Sequence, residues 1–322
     1  MRYCCLFYLA VLSVLAYSDT FTKHHKTADK KNLYVAIEKE FIEPNDMEEF
    51  VVKRFDHDYS GSDMTPVIHQ TNDVLASLMQ GFADVGITHR QWSDKEVSLL
   101  KEKYQKLPMQ LIIAADAYAV VVNQDNPIES VSKQELLGLF DQSNQTTCTD
   151  SQTILWNNLP NFPSDRDEKI EVEPYAYGTN KRLWLAFKSL LCDTLTTQRV
   201  ATQADAFEVV KRERGAFTFQ AYLSDNNGMR LLPLRDDQGV IKPLRIDTIF
   251  SGEYPLSKRY YLHIAPNVLE EENVQLYVNY LLSDASQTYL TSKGLVALPK
   301  AILQRNQVIL QQRSPQYPGG YQ

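Results

Sequence analysis

The sequence is poor in the signatures of catalysis. It has no HExxH, no P-loop and no nucleophile elbow, so the common hydrolase, nucleotide-binding and zinc-peptidase patterns have nothing to rest on. The nearest approach to a metal triplet is Asp56-His57-Asp58. On a strand those consecutive side chains would point to alternate faces, so the run is expected to be a solvated polar stretch. No enzyme activity, cofactor or metal is expected. Internal repeats are absent, and beyond residue 18 no apolar run approaches the ~20 residues that a membrane-spanning helix needs. An excess of basic residues is missing too: 33 Lys and Arg face 40 Asp and Glu, for a formal net charge of −7. That balance argues against nucleic acid and against a polybasic membrane contact.

What is present begins with Arg2, an apolar run from Cys4 to Ala16, and the small-x-small tripeptide Ala16-Tyr17-Ser18. This reads as a signal peptide over residues 1–18, cleaved before Asp19. No cysteine follows a lipobox-like site, so a periplasmic or secreted chain without membrane insertion is expected. Cleavage would remove two of the four cysteines and leave Cys148 and Cys192. Two cysteines in an exported chain usually pair. A Cys148–Cys192 disulfide would close a ring of about 45 residues, worth roughly 4 kcal/mol in the chain-entropy model. Residues 19–32, with Lys23, His24, His25 and Lys26, read as a disordered leader. The rest is long enough for one large or two mid-sized domains.

The pattern alternates strands with helices. Leu33–Ile37 reads as a first strand, followed by a helical pattern in Met47, Phe50, Val51 and Phe55. Thr65–Gln70 is a second strand, and Thr71-Asn72-Asp73 can cap a helix over Val74–Gln80. Gly81 to Arg90 contains a third strand, and Ser93 with Glu96 makes a capping box. Leu111–Val122 is apolar throughout, as in a strand buried on both faces. Asn126-Pro127 is turn chemistry, and Ser132 with Glu135 caps a helix over Lys133–Phe140.

Further on, residues 141–169 read as a loop-rich surface and Ile170–Pro174 as a strand. An amphipathic helix follows with Leu183, Trp184, Phe187, Leu190 and Leu191. Asp205–Lys211 is helical, while Gly215–Phe219, Leu231–Leu234 and Ile241–Ile249 are β-like. Asn267 and Glu270 are placed to cap a helix bearing Val274, Tyr277, Val278, Leu281 and Leu282. A short helical piece after Lys300 gives way to a tail, assigned to residues 304–322.

Several stretches carry a resemblance. Leu107-Pro108 through Asp116-Ala117-Tyr118 to Asn123 and Asn126-Pro127 resembles the hinge-crossing segment of PstS-like phosphate-binding proteins, which are type II periplasmic binding proteins. Gly252 to Leu262 resembles the return crossing, and Gly81 to Arg90 the strand that ends there in serine-arginine. The resemblance spans about residues 33–300. It implies an α/β, two-lobed type II periplasmic-binding-protein fold, each lobe a mixed sheet flanked by helices, with a hinge of two crossing strands. Lobe 1 would hold residues 33–113 plus 254–303, and lobe 2 residues 114–253. It also implies a monomer that captures phosphate or a similar oxyanion for an ABC permease.

Carried over by position, the ligand contacts are Thr71, Asn72, Thr88, His89, Arg90, Gly178 and Thr179. Arg90 is the natural bidentate partner of an oxyanion, and Gly178-Thr179 would offer amides at a helix start. The ligand loops depart from the family. Glu38 and Glu40 stand where hydroxyls are usual, His89 replaces the serine, and Tyr177 replaces a small residue. A second reading follows: a degenerate module that has lost tight phosphate binding and serves an interaction, sensory or structural role with another envelope protein.

Overall fold

The computed structural model describes residues 32–38, 53–59, 61–141, 154–163, 168–177, 181–192, 195, 198–222 and 225–312. In chain order they begin with β1 (Asn32–Glu38), α1 (Arg54–Asp58), β2 (Thr65–Thr71), α2 (Val74–Gln80), β3 (Val85–Thr88) and α3 (Asp94–Tyr104). Next come β4 (Met109–Val122), β5 (Val131–Ser132), α4 (Lys133–Phe140), β6 (Glu173–Tyr177), α5 (Lys181–Leu191), β7 (Gln198–Val200), α6 (Gln203–Arg212) and β8 (Ala216–Ala221). The chain continues through β9 (Arg230–Leu232), β10 (Leu234–Arg235), β11 (Ile241–Lys242), α7 (Ile246–Ser251) and β12 (Ser257–Ile264). It closes with α8 (Glu272–Leu281), α9 (Asp284–Ser292) and α10 (Lys300–Gln312). The α/β class expected from the sequence is observed.

The chain divides into two compact units. The first takes its residues from Met1–Leu111, Leu262–Leu281 and Gln307–Pro318, and the second from Ile112–Tyr261, Leu282–Asn306 and Gly319–Gln322. The strand order β2-β1-β3-β12-β4-β8-β6-β7 is divided at β4 and β12, the two strands that pass from one unit into the other.

In the first unit β1 is central and parallel to both neighbours. Glu38 is in register with Thr71 of β2, and Ile37 with Ile87 of β3. Parallel strands buried on both faces need apolar side chains throughout, and Val35, Ala36, Ile37, Val85 and Ile87 supply them. A Cβ on Gly86 would lie 2.2 Å from Val74 Cγ1, so glycine lets α2 lie close against β3. Phe55 is buried on α1 and meets Tyr280 of α8 edge-on at 5.3 Å. Asp56-His57-Asp58 is therefore helical rather than extended, because Phe55 anchors that turn to the core. His57 is left almost fully exposed.

In the second unit β4 runs antiparallel to β8 and β9, while β6 is parallel to β8 and β7. Every residue of β4 is buried, as its composition predicts. Asp116 is the carboxylate within that apolar run. It accepts hydrogen bonds from Tyr118 at 3.3 Å and Tyr260 at 2.5 Å, and such partners are what make a buried polar group tolerable. Tyr254 donates to the carbonyl of Tyr118 at 2.9 Å, tying the start of the return crossing to β4.

Four expectations are corrected. Trp156 is fully buried rather than part of a surface loop, and its indole donates to the Gly215 carbonyl at 2.9 Å. The strand expected at Ile170–Pro174 instead runs Glu173–Tyr177, because the ladder to β8 starts at Glu173 and Pro174. Of the β-like run Ile241–Ile249 only two residues are extended. Pro243 interrupts it, and Thr248 receives the Arg245 N–H at 3.3 Å to start α7. The helix expected from Asn267 and Glu270 begins at Glu272, residues 266–270 being turns closed by bonds such as Val268 N–H to the Ala265 carbonyl at 3.1 Å. Among the described residues no helix is long and apolar enough to cross a membrane.

Candidate functional site

The site is built at the carboxyl ends of β2, β1 and β3, where parallel α/β sheets receive their ligands. Register places Thr71 beside Glu38, and one step past the Ile37–Ile87 pair puts Thr88 on the other side. Each strand thus delivers a polar residue where its apolar run stops.

Thr71 and Asn72 lead into α2. The Thr71 hydroxyl accepts the Asp73 N–H at 3.0 Å, and the Asp73 carboxylate caps α2 by accepting the Ala76 N–H at 2.8 Å. Asn72 is exposed in the same turn. Thr88 is buried, and its hydroxyl lies 2.8 Å from Nε2 of His263 and 2.6 Å from the Arg90 carbonyl. His263 is stacked on Trp92 with centroids 4.0 Å apart, and the Trp92 backbone N–H donates to the Gln110 side-chain carbonyl at 3.1 Å. Burial pushes the His263 imidazole down to about 3, so it is neutral at physiological pH. The turn that presents Arg90 is therefore fastened from below by a neutral ring.

His89 turns the other way. Its backbone N–H donates to Glu38 Oε2 at 2.7 Å, and its ring Nδ1 meets the same carboxylate oxygen. Arg90 is exposed over half of its side chain and forms an end-on bidentate pair with Glu96, at 2.8 Å and 2.7 Å. Nη1 also donates to the Gln91 carbonyl at 3.1 Å. A guanidinium has five N–H donors. Those three bonds use neither Nε–H nor one Nη2–H, the two donors of the side-on fork. Glu96 also accepts the Ser93 N–H at 2.8 Å in the expected capping box, and the Arg90 guanidinium pulls its carboxyl down to about 2. Arg90 is held charged by Glu96 first, then by the fields of Glu38 and Asp73.

Thr88, His89 and Arg90 thus stand with Glu38 at one set of strand ends, and Thr71 and Asn72 occupy the adjoining one. Gly178 and Thr179 lie outside the described residues, as does Cys148; Cys192 is buried just past the end of α5. Tyr177, read from sequence as part of a ligand loop, is instead the last residue of β6. It is buried, stacked on Phe219 at 4.9 Å, and its hydroxyl donates to the Phe219 carbonyl at 3.2 Å. Sequence reasoning missed Trp92, His263 and the pairing of Arg90 with Glu96. A histidine among the apolar residues of Tyr260–Ile264 was the available signal for a buried polar role.

Comparison with known proteins follows the same lines. A family model described as a PBP superfamily domain matches residues 47–285. Protein SphX of Synechococcus elongatus is 24% identical over 262 residues, covering 78% of this chain and 74% of that protein. Phosphate-binding protein PstS of Pseudomonas aeruginosa is 23% identical over 237 residues, covering 71% and 72%. Among solved structures, a possible phosphate binding protein from Planctomyces limnophilus superposes with a TM-score of 0.69 at 18% identity, over 88% of this chain and 98% of that one. PstS from Borrelia burgdorferi gives 0.61 at 12% identity, over 84% and 100%. At these identities the structural likeness carries the fold.

Proposed function

Since the chain belongs to the PBP superfamily, we propose that it is an exported solute-binding protein that captures phosphate or a related oxyanion for an ABC importer. The observation that carries this reading is the side-on fork of Arg90, placed just past the carboxyl end of β3, with Thr71 at the end of β2; the buried Thr88 hydroxyl is committed to the Arg90 carbonyl and His263 and supports the turn. A planar guanidinium fork matches two oxygens of a tetrahedral anion, and neutral hydroxyls and amides supply the remaining bonds. Curated relatives named as phosphate-binding proteins support the same ligand class. The role is binding rather than catalysis.

Gly178 and Thr179 belong to this proposal as the second lobe's contribution. So do the lobe boundaries at 33–113 plus 254–303 and 114–253, the signal peptide over residues 1–18, the Cys148–Cys192 disulfide and the monomeric state. Thiol labelling of unreduced, denatured protein should find no free cysteine; two reactive thiols would remove the disulfide. Mass spectrometry of the secreted chain should begin at Asp19.

One observation favours the second reading, a module that no longer binds phosphate tightly. Glu96, Glu38 and Asp73 all act on Arg90, so an arriving dianion meets more negative than positive charge. Calorimetric titration with phosphate, sulfate and phosphonates separates the two. Saturable oxyanion binding supports the transport reading, and its absence supports the interaction module.

A further inference from the structure

We infer that Glu38 is a built-in occupant of the oxyanion position in the first unit, a specificity-determining carboxylate that withholds the strand-end amide of His89 from anionic solutes. The inference rests on the anion reading of Arg90 given above. Glu38 is the last residue of β1, in register with Thr71, and its side chain reaches across to the end of β3. There a single oxygen, Oε2, accepts the His89 backbone N–H at 2.7 Å and also meets the ring Nδ1. A backbone amide and an imidazole converging on one carboxylate oxygen form the arrangement that would hold one oxygen of a small anion. Both side chains keep contact with solvent, Glu38 at 22% and His89 at 38% exposure, so a solute can reach them.

Two effects then act against an incoming anion. It must displace a tethered carboxylate whose effective concentration at the amide is set by the fold, and it must approach a like charge. Asp73 contributes only the second effect, since its carboxylate is engaged in capping α2 while the His89 amide is held by Glu38. Glu38 and Asp73 can therefore be separated by experiment.

The test titrates the mature full-length chain with inorganic phosphate and with sulfate, in wild type, Glu38→Ala, Glu38→Gln and Asp73→Asn. Glu38→Ala should bind at least about tenfold more tightly than wild type, because it removes the charge and releases the amide. Glu38→Gln should gain less, roughly threefold, since its carbonyl still accepts from His89. Asp73→Asn keeps the helix cap and should gain no more than Glu38→Gln. Equal or weaker binding by Glu38→Ala overturns the inference while leaving the anion reading in place. Equal gains in all three variants also overturn it, because charge alone would then suffice. If none of the four proteins binds either anion at about 10 mM, the reading and the inference fall together. Circular dichroism and Tm establish that each variant folds. Should Glu38→Ala fail to fold, Glu38→Gln decides, and no gain in affinity overturns the inference.

Discussion

The end of β3 in the first unit and the end of β6 in the second are built from opposite materials. At β3 the apolar run gives way to Thr88, His89 and Arg90, engaged respectively with His263, Glu38 and Glu96. At β6 the last described residue is Tyr177, whose ring stacks on Phe219 while Phe219 stacks on Phe187 at 4.0 Å. One strand end is polar and partly open to water; the other closes the core with aromatic rings. The two strand ends use their side chains for different purposes. At β6 they fix the sheet, and at β3 they hold a charged group in a defined orientation at the surface.

The largest effect is expected from the rings behind β6. Phe187 is fully buried and also meets Phe140 at 5.3 Å and Tyr118 at 5.7 Å. Phe187→Ala should cost about 3–5 kcal/mol in urea unfolding, because a cavity is left among rings that cannot collapse into it. A loss below about 1 kcal/mol would mean that this cluster does not fix the second unit.

A smaller effect is expected beneath the polar end. Burial holds His263 at about 3, below its ordinary 6.5, so between those values the unfolded chain takes up a proton that the folded chain refuses. Its contribution is full above pH 6.5 and is lost as the pH falls toward 3. Moving from pH 7 to pH 5 should cost about 2 kcal/mol through this group alone. The difference between wild type and His263→Gln, each unfolded at both pH values, isolates it, and parallel pH profiles would remove His263 as the neutral support of Thr88.

The smallest effect concerns the ion pair. Glu96 is depressed from 4.5 to about 2, chiefly by Arg90, so the stability it contributes is present above 4.5 and is lost as the pH falls through about 2. Arg90 is half exposed, so solvent screening reduces the contribution to roughly 1 kcal/mol. Glu96→Gln should flatten the acid limb of the stability curve by that amount. An unchanged limb would mean that the pair adds nothing measurable.

The contrast between the two strand ends also explains what could be read before the structure. Elements with period and punctuation were legible: the buried run of β4, and the capping boxes at Ser93–Glu96 and Ser132–Glu135. Thr88, His89 and Arg90 were legible as a polar stop to an apolar strand. What escaped were pairings made across sequence distance. Glu96 reads locally as a helix cap, and nothing in its neighbours announces that the same carboxylate takes Arg90. Tyr177 reads as a loop residue beside Gly178, until Phe219, 42 residues away, draws its hydroxyl and ring inward. The short helix α7 was hidden by apolar residues that suit either structure, and only Pro243 hinted at the break.

If Arg90 offers its side-on fork to an oxyanion, calorimetric titration of wild type and Arg90→Ala with phosphate will show it. Wild type should bind saturably, weaker than micromolar because Glu38 and Glu96 compete. Arg90→Ala should weaken it roughly thirtyfold, the low end for a charge-assisted pair because the guanidinium is half exposed. Phosphate binding that survives Arg90→Ala unchanged would contradict the claim.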